Sequence, residues 1–495
     1  MHNGASNKSG LRTGSLGTFD SIVLAIAGCG PAYTAMAMAP ALMAAVGFAA
    51  PAVLLYCAVP TLGIALAFRH LGRLDVNSGA TYSWVARTLH PFLGFLCGWA
   101  VVVATTVFMI SSTQPAGAAT LSLFGEDLAR NEGLATGVGL GWFLLIAALV
   151  AFGTRLGARA RAVAVGGQLL LLVVVSVAAL TQSRHAASFS LSWFGFGHFD
   201  AAHSFTAGAL IAGALFWGWD VTANLSEETR RGRGGAGRGG LIGLLVTAAS
   251  FLLVAVSANV LLGPAAGADS AGFLTAFGDA ALPGVGGDLL VLALLLSTVA
   301  TLETTLLQAT RTLFAMGRDR TVPSFLGQIH PERQTPMMST LLVAALSVLV
   351  LGLIALLGTG FGILEDALVG IGLLITFYYA LAGIAVVVAY RRELFRSAGK
   401  LLLLGLWPLA GALFNVWIFA VSIPDMNTAQ LAIGLGSLAL GLIPVTVARI
   451  QGGRSYFRPR PLNPRDVQAA EEALEGAEPV TAAVGGRRDG VLTDF

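Results

Sequence analysis

What this sequence has least of is charge. Asp, Glu, Lys and Arg make up only 11% of its 495 residues, against about 25% in a soluble globular protein. Too few charged groups remain to cover a water-soluble body of this size, so lipid must be the main solvent. Cysteine is scarce as well. Cys29, Cys57 and Cys97 are odd in number and lack paired spacing, which excludes a disulfide framework and a zinc pattern. The seven histidines include no two at i, i+4, so metal chemistry has no foothold, and no cofactor is implied. The net charge of +3 suggests an anionic partner at first sight. Its basic residues, however, sit in short loops between apolar runs, and nothing points to nucleic acid. The partners expected are the bilayer and a small molecule; the sequence does not fix an oligomeric state.

What is abundant is apolar length. Hydrophobic residues make up 56% of the chain and the mean hydropathy is +0.78. A membrane-crossing helix needs roughly 20 apolar residues. Candidates lie at 20–46, 50–68, 91–122, 136–153, 160–181, 204–226, 239–262, 285–316, 337–358, 363–390, 402–422 and 428–449. The first is too long and too far in to be a cleavable signal peptide. The expected fold is therefore an all-α integral membrane protein of about twelve transmembrane helices. Residues 1–19 form a polar N-terminal segment, and 450–495 form a solvated, disordered tail with a short helix possible over 464–476.

Orientation follows from Lys and Arg in the short loops. Basic loops carry Arg69, Arg73 and Arg87; Arg155, Arg159 and Arg161; and Arg230, Arg231, Arg233 and Arg238. Two more carry Arg311, Arg318, Arg320 and Arg333, then Arg391, Arg392, Arg396 and Lys400. The alternate loops hold Arg130 and Arg184 beside Asp269, Asp279, Asp288, Glu365 and Asp366. Every second loop being basic places both termini in the cytoplasm of a multi-pass plasma-membrane protein.

Two spans are interrupted. The first reads Ala27-Gly28-Cys29-Gly30-Pro31-Ala32. Proline lacks an N–H and crowds the preceding turn, and glycine weakens the helix further. Unwinding there would free N–H groups at a positive dipole end, a receptor for a carboxylate. A plain proline kink is the competing explanation. The sixth span reads Phe216-Trp217-Gly218-Trp219-Asp220, followed by Glu227-Glu228. Asp220 sits in an apolar stretch, where a carboxylate costs a few kcal/mol unless partnered or wetted. Interface anchoring is the competing explanation for the tryptophans. Spans one and six each open a block of five, and paired interruptions of this kind point to a binding site between inverted repeats.

The eighth span carries Glu303 near its middle, and a polar stripe of Ser297, Thr301, Thr304, Gln308 and Arg311. At about 100° per residue, Glu303 falls roughly 100° or more from the stripe's centre, so it is expected to face a different neighbour. It is either a functional acid or a neutral partner in an interhelical hydrogen bond.

Over roughly residues 15 to 450 the chain resembles the amino acid–polyamine–organocation superfamily of permeases. The most specific stretch is Ala309-Thr310-Arg311 through Ala315-Met316-Gly317-Arg318-Asp319, then Val322-Pro323, His330-Pro331 and Thr335-Pro336. A second is Gly79-Ala80-Thr81-Tyr82-Ser83-Trp84, then Pro91, Gly94-Phe95 and Gly98-Trp99. Trp217-Gly218-Trp219-Asp220 and Gly28-Cys29-Gly30 resemble the family's helix 6 and helix 1 patterns.

The resemblance implies two inverted five-helix repeats, 20–181 and 204–390, followed by two further helices over 402–449. It implies that the backbone of Gly28, Cys29 and Gly30 takes a substrate carboxylate, and that Ala104, Thr105 and Met109 line a side-chain pocket. Ala214 and Trp217 would form part of a gate, Thr305 would approach the substrate, and Asp220 would stand at the family's gating acid. Two departures matter. Gln168 stands where some members carry a titratable lysine, and Ala214 where several carry a bulky aromatic.

The expected function is a secondary transporter moving an amino acid by alternating access, by exchange or coupled to protons through Asp220 or Glu303. An amine or polyamine carrier, pairing the substrate cation with Asp220 or Glu303, is the alternative within transport. An intramembrane enzyme would need a nucleophile–base pair or metal ligands, and the chain has no His-x-x-x-His and no Gly-x-Ser-x-Gly. A membrane sensor would need an output domain, which 450–495 is too polar to supply.

Overall fold

The computed structural model describes residues 10–153, 158–182, 186–199, 202–230, 233–263, 273–357, 362–451 and 455–465. Arg155, Arg184, Arg231, Asp269, the side chain of Glu365 and the 466–476 part of the expected tail helix lie outside the described residues.

In chain order the helices are α1 (Thr18–Cys29), α2 (Pro31–Val46), α3 (Ala50–Leu74), α4 (Thr81–Thr88), α5 (Pro91–Ser122), α6 (Glu126–Ala129), α7 (Glu132–Ala151) and α8 (Ala158–Thr181). Then come α9 (Ala202–Leu215), α10 (Val221–Asn224), α11 (Gly235–Leu261), α12 (Phe273–Ala281), α13 (Gly286–Arg318), α14 (Met337–Leu357) and α15 (Gly362–Tyr390). The chain closes with α16 (Ala398–Lys400), α17 (Trp407–Ser422), α18 (Thr428–Leu431), α19 (Ser437–Leu440) and α20 (Leu442–Gln451). Wider π turns run over Leu401–Leu406 and Ala432–Gly436.

Ten helical stretches among the described residues are long and apolar enough to cross a membrane. The difference from the twelve expected runs has two local causes. The first two runs merge into one stretch, Thr18–Leu74, of 57 residues. A straight helix of that length would reach about 85 Å, far beyond a hydrocarbon core of roughly 30 Å. The backbone instead leaves the helix at Gly30 and again at Gly47, φ 55° and 54°. The sixth run is short because it breaks after Leu215, leaving the apolar piece Ser204–Leu215.

α13 is the central pillar, in contact with α1, α2, α5, α7, α8 and α14, and α5 packs on α4, α7, α13 and α15. Threonine hydroxyls along both are satisfied within their own helix, as Thr105 to the Val101 carbonyl at 2.6 Å and Thr305 to the Thr301 carbonyl at 2.7 Å. That keeps the polar atoms of these buried helices from going unpaired.

Two arginines counted among the loop charges are buried instead. Arg161 lies in α8 and pairs with Glu303, with side chains 2% exposed on both sides. Arg311 lies in α13 and pairs with Glu228 at 3.0 Å. Neither is a loop charge: each lies within a helix and is buried against an acid of the protein.

The ends are tied to the body. Leu16 lies beside Thr229 in a parallel bridge: its N–H donates to the Glu228 carbonyl at 3.1 Å, and its carbonyl accepts from Arg230 N–H at 2.7 Å. The tail departs from the disordered expectation over 455–465. Tyr456 stacks on Tyr82, centroids 4.7 Å apart, and its hydroxyl donates to the Pro91 carbonyl at 3.1 Å. Burial pushes that hydroxyl well above its ordinary range, so it stays a donor at physiological pH. The segment cannot build a core of its own, but the body supplies one for its aromatic ring.

Candidate functional site

The first break is stitched on all sides. α1 ends at Cys29, Gly30 turns left-handed, and Pro31 opens α2 at the position where its missing N–H costs nothing. The Ala27 carbonyl accepts from Thr301 Oγ1 at 2.8 Å, and the Cys29 carbonyl accepts from Thr34 Oγ1 at 2.6 Å. Ala32 N–H donates to Gln168 Oε1 at 3.4 Å, and Tyr33 N–H donates to Ser297 Oγ at 3.1 Å. The expectation of vacant N–H groups at the start of α2 is thus corrected: these two are capped by side chains from α8 and α13.

The second break runs from Phe216 to Asp220, between α9 and α10, with Gly218 at φ 100°. The two breaks touch through bare backbone. A Cβ on Gly28 would overlap the Gly218 carbonyl, and a Cβ on Gly218 would overlap the Gly28 carbonyl. A Cβ on Gly30 would instead strike Thr301 Oγ1, so Gly30 faces α13.

Beside this contact lies a cavity of about 50 Å³, room for a few waters or a small aliphatic group. Gly28, Cys29, Ala214 and Trp217 line it, as expected residues do in the inferred pocket. Tyr33, Thr34, Ala37 and Met38 of α2 also line it, with Phe108 of α5 and Leu368, Ile371 and Ile375 of α15. Every one of these side chains is uncharged.

The other expected pocket residues lie elsewhere. Ala104 and Met109 are fully buried in two different core clusters, and the Thr105 and Thr305 hydroxyls turn back onto their own helices. Phe108 is the α5 residue on the cavity, stacked edge-on against Trp217 at 5.4 Å and against Tyr33 at 5.9 Å. A shift of three or four positions along a helix stays on nearly the same face, so Phe108 lies on the same side of α5 as Ala104 and Thr105.

Asp220 lies just behind this wall, 1% exposed. Its Oδ2 accepts from Tyr378 at 3.0 Å and from Gln308 Nε2 at 2.9 Å, and its Oδ1 accepts from Tyr379 at 3.2 Å. The Tyr378 hydroxyl in turn accepts from Trp217 Nε1 at 2.6 Å. A hydrogen-bonded line thus runs from the cavity wall to the buried acid. The tandem Tyr378-Tyr379 in the apolar run 363–390 was the available signal for this; the aliphatic residues of α15 gave none.

The polar stripe of α13 meets the two breaks. Ser297 and Thr301 bond the first, Gln308 bonds Asp220, and Arg311 bonds Glu228. Glu303 points away, as its angular offset requires, and is held by Arg161 through Nη2 at 2.8 Å and Nε at 3.1 Å. Two of the sequence motifs also turn out to grip each other. Arg311 pairs with Glu228, while Arg318 reaches both oxygens of Glu227 at 3.1 Å. Glu227 also accepts from Ser78 N–H at 2.8 Å, which draws in the Gly79–Trp84 motif.

The sequence profile of the amino acid permease family matches residues 16–447, both breaks and the whole of this network included. The chain belongs to the amino acid permease family. The permease is 24% identical over 423 residues to the low-affinity putrescine importer PlaP of Escherichia coli, covering 79% of this chain and 84% of the relative. It is 26% identical over 360 residues to the branched-chain amino acid permease BcaP of Bacillus subtilis, covering 68% and 72%. It is 24% identical over 311 residues to the serine/threonine exchanger SteT of the same organism, covering 59% and 65%. It is thus a multi-pass membrane transporter rather than an enzyme.

Tyr378→Phe tests the line from wall to acid in this permease. It strips Trp217 of its acceptor and Asp220 of one donor, each at a cost of about 1–3 kcal/mol in a buried site. The expected result is a roughly tenfold or greater loss of transport efficiency with normal membrane insertion. Unchanged uptake kinetics would remove Tyr378 from the working site.

Proposed function

We propose that the permease carries a small neutral amino acid, whose backbone lies at the two breaks and whose side chain enters the cavity against Phe108 and Trp217. The observation that carries this reading is the lining: uncharged throughout, with aliphatic and aromatic side chains set beside Gly28 and Cys29 of the first break. An amine or polyamine needs an acid in that lining. Asp220 already receives three donors behind the wall, and Glu303 is held by Arg161. Ala214 leaves the wall low, and Trp217 takes the place of a bulkier gate residue. Gln168, which cannot titrate, caps the first break in place of a charged group.

Twelve crossings in two inverted repeats, with both termini cytoplasmic, complete the proposal. The pairing of helices supports it. The third crossing packs on the tenth as the eighth packs on the fifth (α5 on α15, α13 on α8). The first packs on the seventh as the sixth packs on the second (α1 on α11, α9 on α3). Alternating access would then part the Glu227–Arg318 and Glu228–Arg311 contacts on the basic side.

Uptake into proteoliposomes of the purified protein tests the substrate. The panel is labelled alanine, valine, serine, their decarboxylated amines and putrescine, each with and without an imposed proton gradient. Saturable uptake of a neutral amino acid is expected, with the monoamines at least about tenfold poorer because they lack the carboxylate, and putrescine poorer again because its second ammonium would be buried unpaired. Uptake of putrescine without any amino acid would overturn the assignment.

A further inference from the structure

The C-terminal segment does more than cover the body. With the ends of α4 and α15 it encloses a hollow of about 340 Å³, far from the two breaks. Four arginines line it: Arg87 of α4, Arg391 and Arg392 just beyond α15, and Arg465 of the tail. Arg87 is balanced by Asp75 at 2.8 Å, and the acid of the lining, Glu393, is balanced by Lys400 at 2.9 Å. Arg391, Arg392 and Arg465 are exposed and have no acidic partner among the described residues. Three like charges therefore line one concavity, and salt screens such exposed charges fully only beyond a length of about 8 Å.

An anion relieves that repulsion, and the planar guanidinium fork fits phosphate oxygens better than an ammonium does. A second hollow of about 290 Å³ adjoins the first, sharing Glu393 and Pro464. It adds Arg73 on one side and Leu403 on the other. Leu402, next to Leu403 in the chain, and Phe395, two residues beyond Glu393, are 48% and 85% exposed, an exposed apolar flank close in sequence to the two hollows.

We propose that this hollow binds a phosphate group, with the apolar flank favouring the ester of an anionic phospholipid over a soluble phosphate compound. Basic pockets between helix ends at the bilayer surface have the charge and position for such headgroups. The tail then closes over the bound phosphate through Arg465, so occupancy and tail docking support each other.

The test uses purified full-length protein, stripped of lipid in neutral detergent, with retained ligand read by native mass spectrometry. The probes are phosphatidylglycerol, phosphatidylcholine, glycerol 3-phosphate and inorganic phosphate. Wild-type protein is expected to retain phosphatidylglycerol over phosphatidylcholine. The double variant Arg391→Gln/Arg392→Gln should bind it roughly 30-fold more weakly, at about fivefold per arginine. The double lysine variant should recover part of the loss, and Arg130→Gln, outside the hollow, should do nothing. Binding of glycerol 3-phosphate or phosphate with the same arginine dependence, and no preference among lipids, supports the site and assigns it a soluble ligand. Phosphatidylglycerol retention unchanged in the double variant, or no preference for any phosphate probe in wild type, overturns the proposal. The melting temperature of the double variant, expected to be unchanged, separates lost binding from lost fold; Arg465→Gln, on the tail, provides an independent variant if it is not.

Discussion

Gly218→Val is expected to reach the membrane and to lose uptake by about 100-fold or more, the penalty typical of a reacting or binding group displaced by about 1 Å. Gly218 sits at φ 100°, where a branched side chain is strained, and its Cβ would overlap the Gly28 carbonyl. The obstruction is reciprocal, since a Cβ on Gly28 would overlap the Gly218 carbonyl. Neither contact involves a side chain that could rotate aside, so the two breaks can separate only by moving backbone, and with it the cavity floor. Gly352→Val in α14 is the matched control, because a Cβ there meets nothing within 4 Å. Uptake normalised to protein in the membrane is the measurement. Normal transport by Gly218→Val would show that the contact between the breaks is dispensable.

The second large effect is on stability. Arg161→Met leaves Glu303 buried without its guanidinium, and breaking such a pair costs about 3–5 kcal/mol. A marked drop in melting temperature in detergent is expected. Glu303→Gln alone should cost a comparable amount, because Arg161 then loses the carboxylate of its buried pair. The double variant Arg161→Met/Glu303→Leu should recover most of the loss, since replacing both partners of a buried pair by apolar groups is often neutral or stabilising. It should also keep its uptake if the pair serves to hold α8 on α13. A double variant that is stable yet inactive would return Glu303 to the list of working acids.

The sequence was most informative where chemistry conflicts with lipid. Low charge and twelve apolar runs led to an all-helical membrane protein. Glycine and proline at 28–31, and glycine beside an acid at 218–220, marked both breaks. Angular spacing on one helix put Glu303 on a different face from Thr301 and Gln308, and the structure has it there. What stayed hidden was pairing between distant segments. Arg161 and Arg311 have the same side chain as the loop arginines, and only the partners Glu303 and Glu228, 142 and 83 positions away, make them interior groups. The register of α5 on the cavity is hidden for a related reason. Phe108 and Ala104 share a helix face, and nothing local to α5 says which of them meets Trp217. The α15 wall of Leu368, Ile371 and Ile375 was invisible because the stretch 367–375 holds only aliphatic residues and glycine.

The short bridge between Leu16 and the segment after α10 makes the N-terminal segment a handle on the stretch that carries Glu227 and Glu228. Any shift of Glu228 away from Arg311 must drag Leu16 along or tear two backbone hydrogen bonds of 3.1 and 2.7 Å. A fluorophore placed at residue 12 or 13 would therefore report any parting of the Glu228–Arg311 pair without replacing either residue. By the same mechanics, a bulky fusion partner set close to Leu16 would load that ion pair, whereas one on the far side of a flexible linker would not.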